Sequence, residues 1–243
     1  MLTSRADIMR QLQQQIYPLQ GLKHAPVAST VNIGLEAIEE AFPNASFPIG
    51  AIHEFLSTGM NDAAATGGFI AGLLGRLMQG NGASLWISSS RMLFPPALKT
   101  FGIEPDRIIF VDVQNEKQAL WAMEEGLKCN GLAAVIGELP EISFTTSRRL
   151  QLAVEQSRVT GFILRHNPQN INTTACVSRW KITSLASVLQ DNMPGVGFPR
   201  WNVELLKIRN GKPGSWTLEW SGDRFRLCPS ITIMPEEFIQ KTG

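Results

Sequence analysis

The spacing of hydrophobic positions changes along this chain, and each change predicts an element. In residues 4–17 (SRADIMRQLQQQIY), Ile8, Leu12 and Ile16 stand four apart. That spacing places them on one helix face, with Ser4 as N-cap. Pro18 ends the helix, and 18–30 reads as a linker. Residues 33–42 (IGLEAIEEAF) predict a second short helix, stopped by Pro43 and Asn44. Strand and helix patterns then alternate. Strands are predicted at Ile52–Leu56, Ala83–Ser88, Arg107–Val113, Leu132–Gly137 and Gly161–Leu164. Helices are predicted at 62–79, at 94–101 behind Pro95-Pro96, at 115–129 behind Asn115, and at Ser143–Arg158. Short apolar strands joined through helices predict a parallel sheet covered on both faces.

After residue 170 the period becomes two. Thr174–Thr183, Trp201–Arg209, Ser215–Trp220 and Arg224–Cys228 alternate apolar and polar. Asn210-Gly211 and Ser221-Gly222-Asp223 stand between them as hairpin turns. Residues 184–199 are a crossing punctuated by Pro and Gly, and the tail from Pro229 reads as loosely held. The expected fold is α/β, a mostly parallel sheet flanked by helices with a C-terminal antiparallel extension. Three parts are expected: an N-terminal helix and linker (1–30), a core (31–183), and a β extension with a tail (184–243).

Composition narrows the class. The 243 residues suit one globular domain, and 44% hydrophobic content suffices for a sizeable core. Arg5, Asp7 and Arg10 interrupt the N-terminus before a signal-peptide core forms, and no apolar run approaches membrane length. Cys129, Cys176 and Cys228 are widely spaced, which fits buried packing residues in a reducing cytoplasm. Net charge is only +1, yet residues 1–140 carry 9 basic against 13 acidic residues, and 141–243 carry 13 against 8. The basic second part reads as ordinary solvated surface or as a face for DNA or an acidic partner.

Candidate chemistry centres on 50–75, GAIHEFLSTGMNDAAATGGFIAGLLG. A strand, a small-residue turn and a helix are the setting of a phosphate-binding loop. Such a loop needs glycines whose backbone N–H groups cradle phosphate, then a lysine and a hydroxyl for charge and Mg²⁺. No lysine lies between Asn61 and Gly75, and Phe69 follows Gly67-Gly68. Ser57, Thr58, Gly59, Gly67 and Gly68 therefore read as a degenerate phosphate loop without cofactor. His24, His53 and His166 show no metal-ligand spacing, and His53 inside a strand reads as a satisfied core or edge histidine. Glu138 ends an apolar strand, one residue past Gly137, where a magnesium-holding carboxylate would be expected. No catalytic residue, metal or cofactor is assigned.

The segment order resembles the RecA core. The carrying residues are GAIHEF (50–55), ASLWISSS (83–90), Phe101-Gly102-Ile103, Gln118-Ala119-Leu120, Leu132–Glu138, Gly161–Arg165 and Ala175–Ile182. A more specific resemblance is to the ImuA family of bacterial translesion-synthesis proteins, related to the cell-division inhibitor SulA. It rests on GFILRH (161–166), SRWKI (178–182) and FPRWNVELLKIRNGKPGSWTLEW (198–220). The RecA resemblance places the catalytic carboxylate at Ser90 and the magnesium carboxylate at Gly137. Neither residue can do that work, and the connections after 138 and 166 are shorter than those RecA uses to hold DNA.

The family resemblance implies a non-catalytic RecA-like adaptor in SOS-induced mutagenic translesion synthesis. Its implied partners are RecA, an ImuB-like polymerase-complex subunit and an error-prone replicative-type polymerase. Homo-oligomerisation and DNA contact through Arg148, Arg149, Arg158 and Arg165 stay open, as does nucleoid association of a cytoplasmic protein. Ile8, Leu12 and Ile16 are candidate partner contacts, although the segment equally reads as folding back on its own domain. Trp201, Trp216 and Trp220 are further partner candidates or edge-packing residues. The alternatives are a SulA-like inhibitor that binds FtsZ, and a residual ATPase or DNA-binding protein.

Overall fold

A computed structural model describes residues 33–36, 38–80, 82–188 and 196–228. The segment holding Ile8, Leu12 and Ile16 lies outside the described residues, as does the tail from 229.

One nine-stranded sheet organises the chain, in the order β3-β2-β4-β5-β1-β6-β7-β8-β9. The strands are β1 (Ile52–Ser57), β2 (Ala83–Ser88), β3 (Ile108–Asp112), β4 (Leu132–Glu138) and β5 (Thr160–His166), followed by β6 (Ser178–Leu185), β7 (Arg200–Ile208), β8 (Gly214–Trp220) and β9 (Phe225–Leu227). β1 to β6 pair in parallel, and β7, β8 and β9 add antiparallel. The mixed α/β fold expected from the patterning is the one observed. β6 is the switch strand. It runs parallel to β1 on one side and antiparallel to β7 on the other.

Helices cover both faces. α1 (Gly59–Leu77) lies on one; α2 (Glu116–Leu127) and α3 (Phe144–Ser157) lie on the other. α2 and α3 begin where the sequence supplies a side-chain cap, and α1 begins behind Thr58 without one. Asn115 accepts a hydrogen bond from the Gln118 backbone N–H, and Ser143 accepts one from Thr146. Between α1 and the sheet sits an aromatic cluster centred on Phe69. Its ring lies 5.1 Å from Phe225, 6.1 Å from Trp180, 6.1 Å from Trp201 and 6.3 Å from Phe55. These partners come from β1, β6, β7 and β9. The parallel and antiparallel halves therefore share one core.

α1 can approach these bulky rings because one of its stripes has no side chains. A Cβ on Gly68 would meet Trp201 at 3.3 Å, and one on Gly72 would meet Phe225 at 2.5 Å. A Cβ on Gly75 would meet the Phe101 carbonyl oxygen at 2.4 Å. Positions 68, 72 and 75 share a helix face at spacings of four and three.

Residues 33–42 depart from the predicted helix. The described residues among them form bends and a short 3₁₀ turn at Glu39–Ala41, with another following at Pro43–Ala45. Ile33 and Leu35, two residues apart, are both buried. Residues two apart do not share a helix face, and Gly34 between them takes φ +76°, which turns the chain out of a helix. Phe42 then packs against Phe47 and Trp180.

Gly75→Ala should lower stability by about 1–3 kcal/mol, because the obstructing atom is backbone and overpacking outweighs the gain in helix propensity. Urea denaturation compared with wild type measures this.

Candidate functional site

Parallel sheets expose strand ends, and ligands bind beyond the C-terminal ends. Here β1, β2, β4 and β5 deliver Ser57, Ser88, Glu138 and His166 to that edge. Ser57 Oγ and His166 Nδ1 lie 2.7 Å apart. Glu138 is buried, and it accepts hydrogen bonds from Ser88 Oγ at 3.0 Å, Ser90 Oγ at 2.9 Å and Trp86 Nε1 at 3.4 Å. Burial lowers the His166 pKa, with the Glu138 charge opposing that shift. A cavity of about 660 Å³ opens above, walled by Met60, Met92 and Phe94 and reaching Trp86, Glu138 and His166.

The strand-to-helix turn is tighter than the sequence suggested. α1 starts at Gly59, not near Asp62, so only Thr58 separates it from β1. Gly59 takes φ +77° and gives its N–H to Asn167 Oδ1 at 2.8 Å. Gly67 and Gly68 belong to the body of α1 and serve close packing rather than a phosphate cradle. The first turn already contains an anion. Asp62 accepts from Thr58 Oγ1 at 3.0 Å and from the Ser184 backbone N–H at 3.1 Å. A carboxylate there satisfies the positive end of the helix dipole.

β4 reverses the sidedness expected of its end. A Cβ on Gly137 would meet Met123 Sδ at 2.7 Å, so position 137 faces α2. Glu138 is the residue that faces the cavity, alongside Ser90. The site is thus a carboxylate held by neutral donors beside a neutral histidine. It can accept hydrogen bonds or meet a cation. Among the described residues Arg200 is the one Lys or Arg in the lining, and its Nε lies 3.8 Å from Glu219.

The other face carries a buried ionic network. Glu54, fully buried in β1, accepts from Arg165 Nη1 at 2.7 Å, Arg179 Nε at 2.8 Å and Thr174 Oγ1 at 2.9 Å. Arg165 also donates to Glu141 at 2.9 Å and to the carbonyls of Pro140 and Asn170. Arg165 is therefore no DNA contact. It is fully buried, and its guanidinium is saturated. Arg149 pairs with Glu124 and Arg148 with Glu155 at 3.7 Å, while Arg158 is the exposed left-handed residue closing α3. In the sequence the network shows only as Glu54 and Arg165 within the strands IHEFLS and TGFILRH.

Other candidates resolve by burial. Trp201 and Trp220 are 3% and 6% exposed and belong to the α1-side core, so they are not surface anchors. Trp220 Nε1 donates to the Thr100 carbonyl at 3.0 Å, and Trp216 is half-buried against the same core. Cys129 is exposed, against the packing role expected; Cys176 is buried, which pushes its thiol pKa up to about 12. His53 is a satisfied core histidine. Its Nε2–H donates to the Pro48 carbonyl at 2.8 Å, so Nδ1 accepts from Ser178 Oγ at 2.6 Å. Trp180 Nε1 completes the chain by donating to Ser178 Oγ at 2.6 Å. Among the described residues no His, Cys, Asp and Glu group is placed to hold a metal, and no helix is long and apolar enough to cross a membrane.

Fold and site together define a mixed α/β protein with a mostly parallel sheet, whose β1–α1 turn is closed by its own side chains. The chain belongs to the ImuA family. It is 32% identical over 201 residues to protein ImuA from two strains of Caulobacter vibrioides, covering 78% of this chain and 82% of those proteins. It is also 29% identical over 104 residues to the cell division inhibitor SulA of Photorhabdus laumondii, covering 43% of this chain and 59% of that protein. No protein-family model matches the chain.

Arg165→Ala should cost about 3–5 kcal/mol, since Glu54 would stay buried without its closest cation. Equilibrium unfolding measures it. A pH series tests His53, whose pKa burial lowers from 6.5 to about 4. The unfolded chain binds the proton more tightly, so this stability is complete above pH 6.5 and is lost as pH falls toward 4. Between pH 7.5 and 5 the loss from His53 should be about 2 kcal/mol, and His53→Gln should flatten that slope in urea unfolding.

Proposed function

We propose that this protein is a non-catalytic adaptor in SOS-induced mutagenic translesion DNA synthesis. In this reading it binds RecA, an ImuB-containing polymerase complex, or both. The observation that carries it is membership of the ImuA family at 32% identity over most of the chain. The site supports a role without nucleotide turnover. The position where nucleotide phosphates would enter has Thr58 as its whole turn, Asp62 as its anion and no lysine. In that reading the RecA-like core keeps its shape while its surfaces serve other proteins. Residues 4–17 and the tail after 228 are the segments we assign to partner contact.

A second reading, a cell-division inhibitor that binds FtsZ, draws on the likeness to SulA over 104 residues. The 198–220 stretch favours the first reading, because it carries the resemblance to the ImuA family.

Calorimetric titration of the purified protein with RecA, ATP and single-stranded DNA in turn separates these readings. Binding to RecA or an ImuB-like subunit without ATP hydrolysis is the expected result. Leu12→Asp should reduce RecA binding at least tenfold, a loss of about 1.4 kcal/mol. ATP turnover that disappears in Glu138→Ala would instead establish a residual ATPase. Inhibition of FtsZ polymerisation with no binding to RecA or ImuB would establish the second reading.

A further inference from the structure

The cavity beside α1 has apolar walls, an anionic floor and, among the described residues, one lining cation, Arg200, which lies 3.8 Å from Glu219. Its walls expose large side chains that a finished core would cover. Met60 is 70% exposed and Phe94 68%. Between them α1 exposes Ala64, a small side chain that another helix can approach closely. Glu138 lies beneath, and among the described residues neither Lys nor Arg forms an ion pair with it. A buried carboxylate is stabilised by a paired cation. The groove therefore suits an amphipathic segment that carries both an apolar stripe and a positive charge.

Such a segment precedes the described residues. Reading back from Ile8, Leu12 and Ile16, the next position on the same helical face is Arg5, three residues earlier. The tether is long enough. Gly34 lies against the Arg76 side chain at the C-terminal end of α1, and Met60 stands at its start. That separation is about 24 Å along the helix. The linker 18–32 can span roughly 50 Å when extended.

We propose that residues 4–17 of the same chain dock in this groove, with Ile8, Leu12 and Ile16 against Met60, Met92 and Phe94, and Arg5 supplying the cation to Glu138. The contact is a latch. The stripe that meets the groove is the one assigned above to partner binding, so a partner must first displace it. The latch stands independently of which partner that is.

Hydrogen exchange on the full chain tests it, with a synthetic peptide of residues 1–20 as the unprotected reference. Amides of residues 6–16 should exchange at least about tenfold more slowly in the full chain than in the peptide. Arg5→Glu and Phe94→Asp should each restore the peptide rate while β4 keeps its protection, which shows that the fold is intact. Exchange at the peptide rate in wild type overturns the proposal, and so does protection that survives Phe94→Asp. Protection that appears only as a dimer forms, followed by sedimentation, overturns it in favour of a second copy. An unprotected segment, combined with loss of RecA or ImuB binding in Phe94→Asp, overturns it in favour of an external partner in the groove.

Discussion

The packing of α1 onto the sheet is the contact on which the rest depends. Phe69 inserts among rings from β1, β6, β7 and β9, so one side chain joins the parallel strands to the antiparallel ones. Buried aromatic pairs contribute beyond their area, and here they converge on a single helix. The glycines at 68, 72 and 75 set the distance. With any larger residue the helix would rise, and Phe225 and Trp220 would lose their seat. Sheet continuity follows from this shared core. β7 to β9 are not an appended flap but the outer wall of the α1 side.

That packing also explains the closed turn. α1 begins one residue after β1, which brings the helix low over the sheet and places Gly68 against Trp201. A phosphate loop would need several residues arching between strand and helix, with successive N–H groups turned inward. Here the Gly59 N–H is held by Asn167, and Asp62 joins Thr58 to the end of β6. The turn is thus bonded to the strands on both sides of β1. The local chemistry is that of a structural corner.

The strand-and-helix order was legible because each element had its own period and its own punctuation. Ala83–Ser88 matches in full, and Asn115 and Ser143 cap as their residue types imply. Residues 33–42 misled because their apolar spacing suits a helix in isolation, while the core pulls Ile33 and Leu35 in together. The tryptophans of the C-terminal strands misled for a related reason. Period two says that a strand has two faces but not which one is covered, and α1 covers the face bearing Trp201 and Trp220. The sidedness of Gly137 and Glu138 depends on the pleat at the very end of β4, and no composition signal carries that.

The two faces of β1 show how one strand separates stability from availability. His53 and Phe55 point toward α1, where a neutral histidine and stacked rings are fully satisfied. Glu54 points the other way and ties β5 and β6 to β1 through Arg165 and Arg179. Breaking a buried ion pair is costlier than never having built it, so the network resists any shift in the register of these strands. Both core faces of the central strand are thereby locked. What stays open lies above the strand ends, where Met60 and Phe94 remain exposed over the buried Glu138. A fold fixed this firmly at its centre can change occupants at that rim without changing shape, as an exchangeable contact requires.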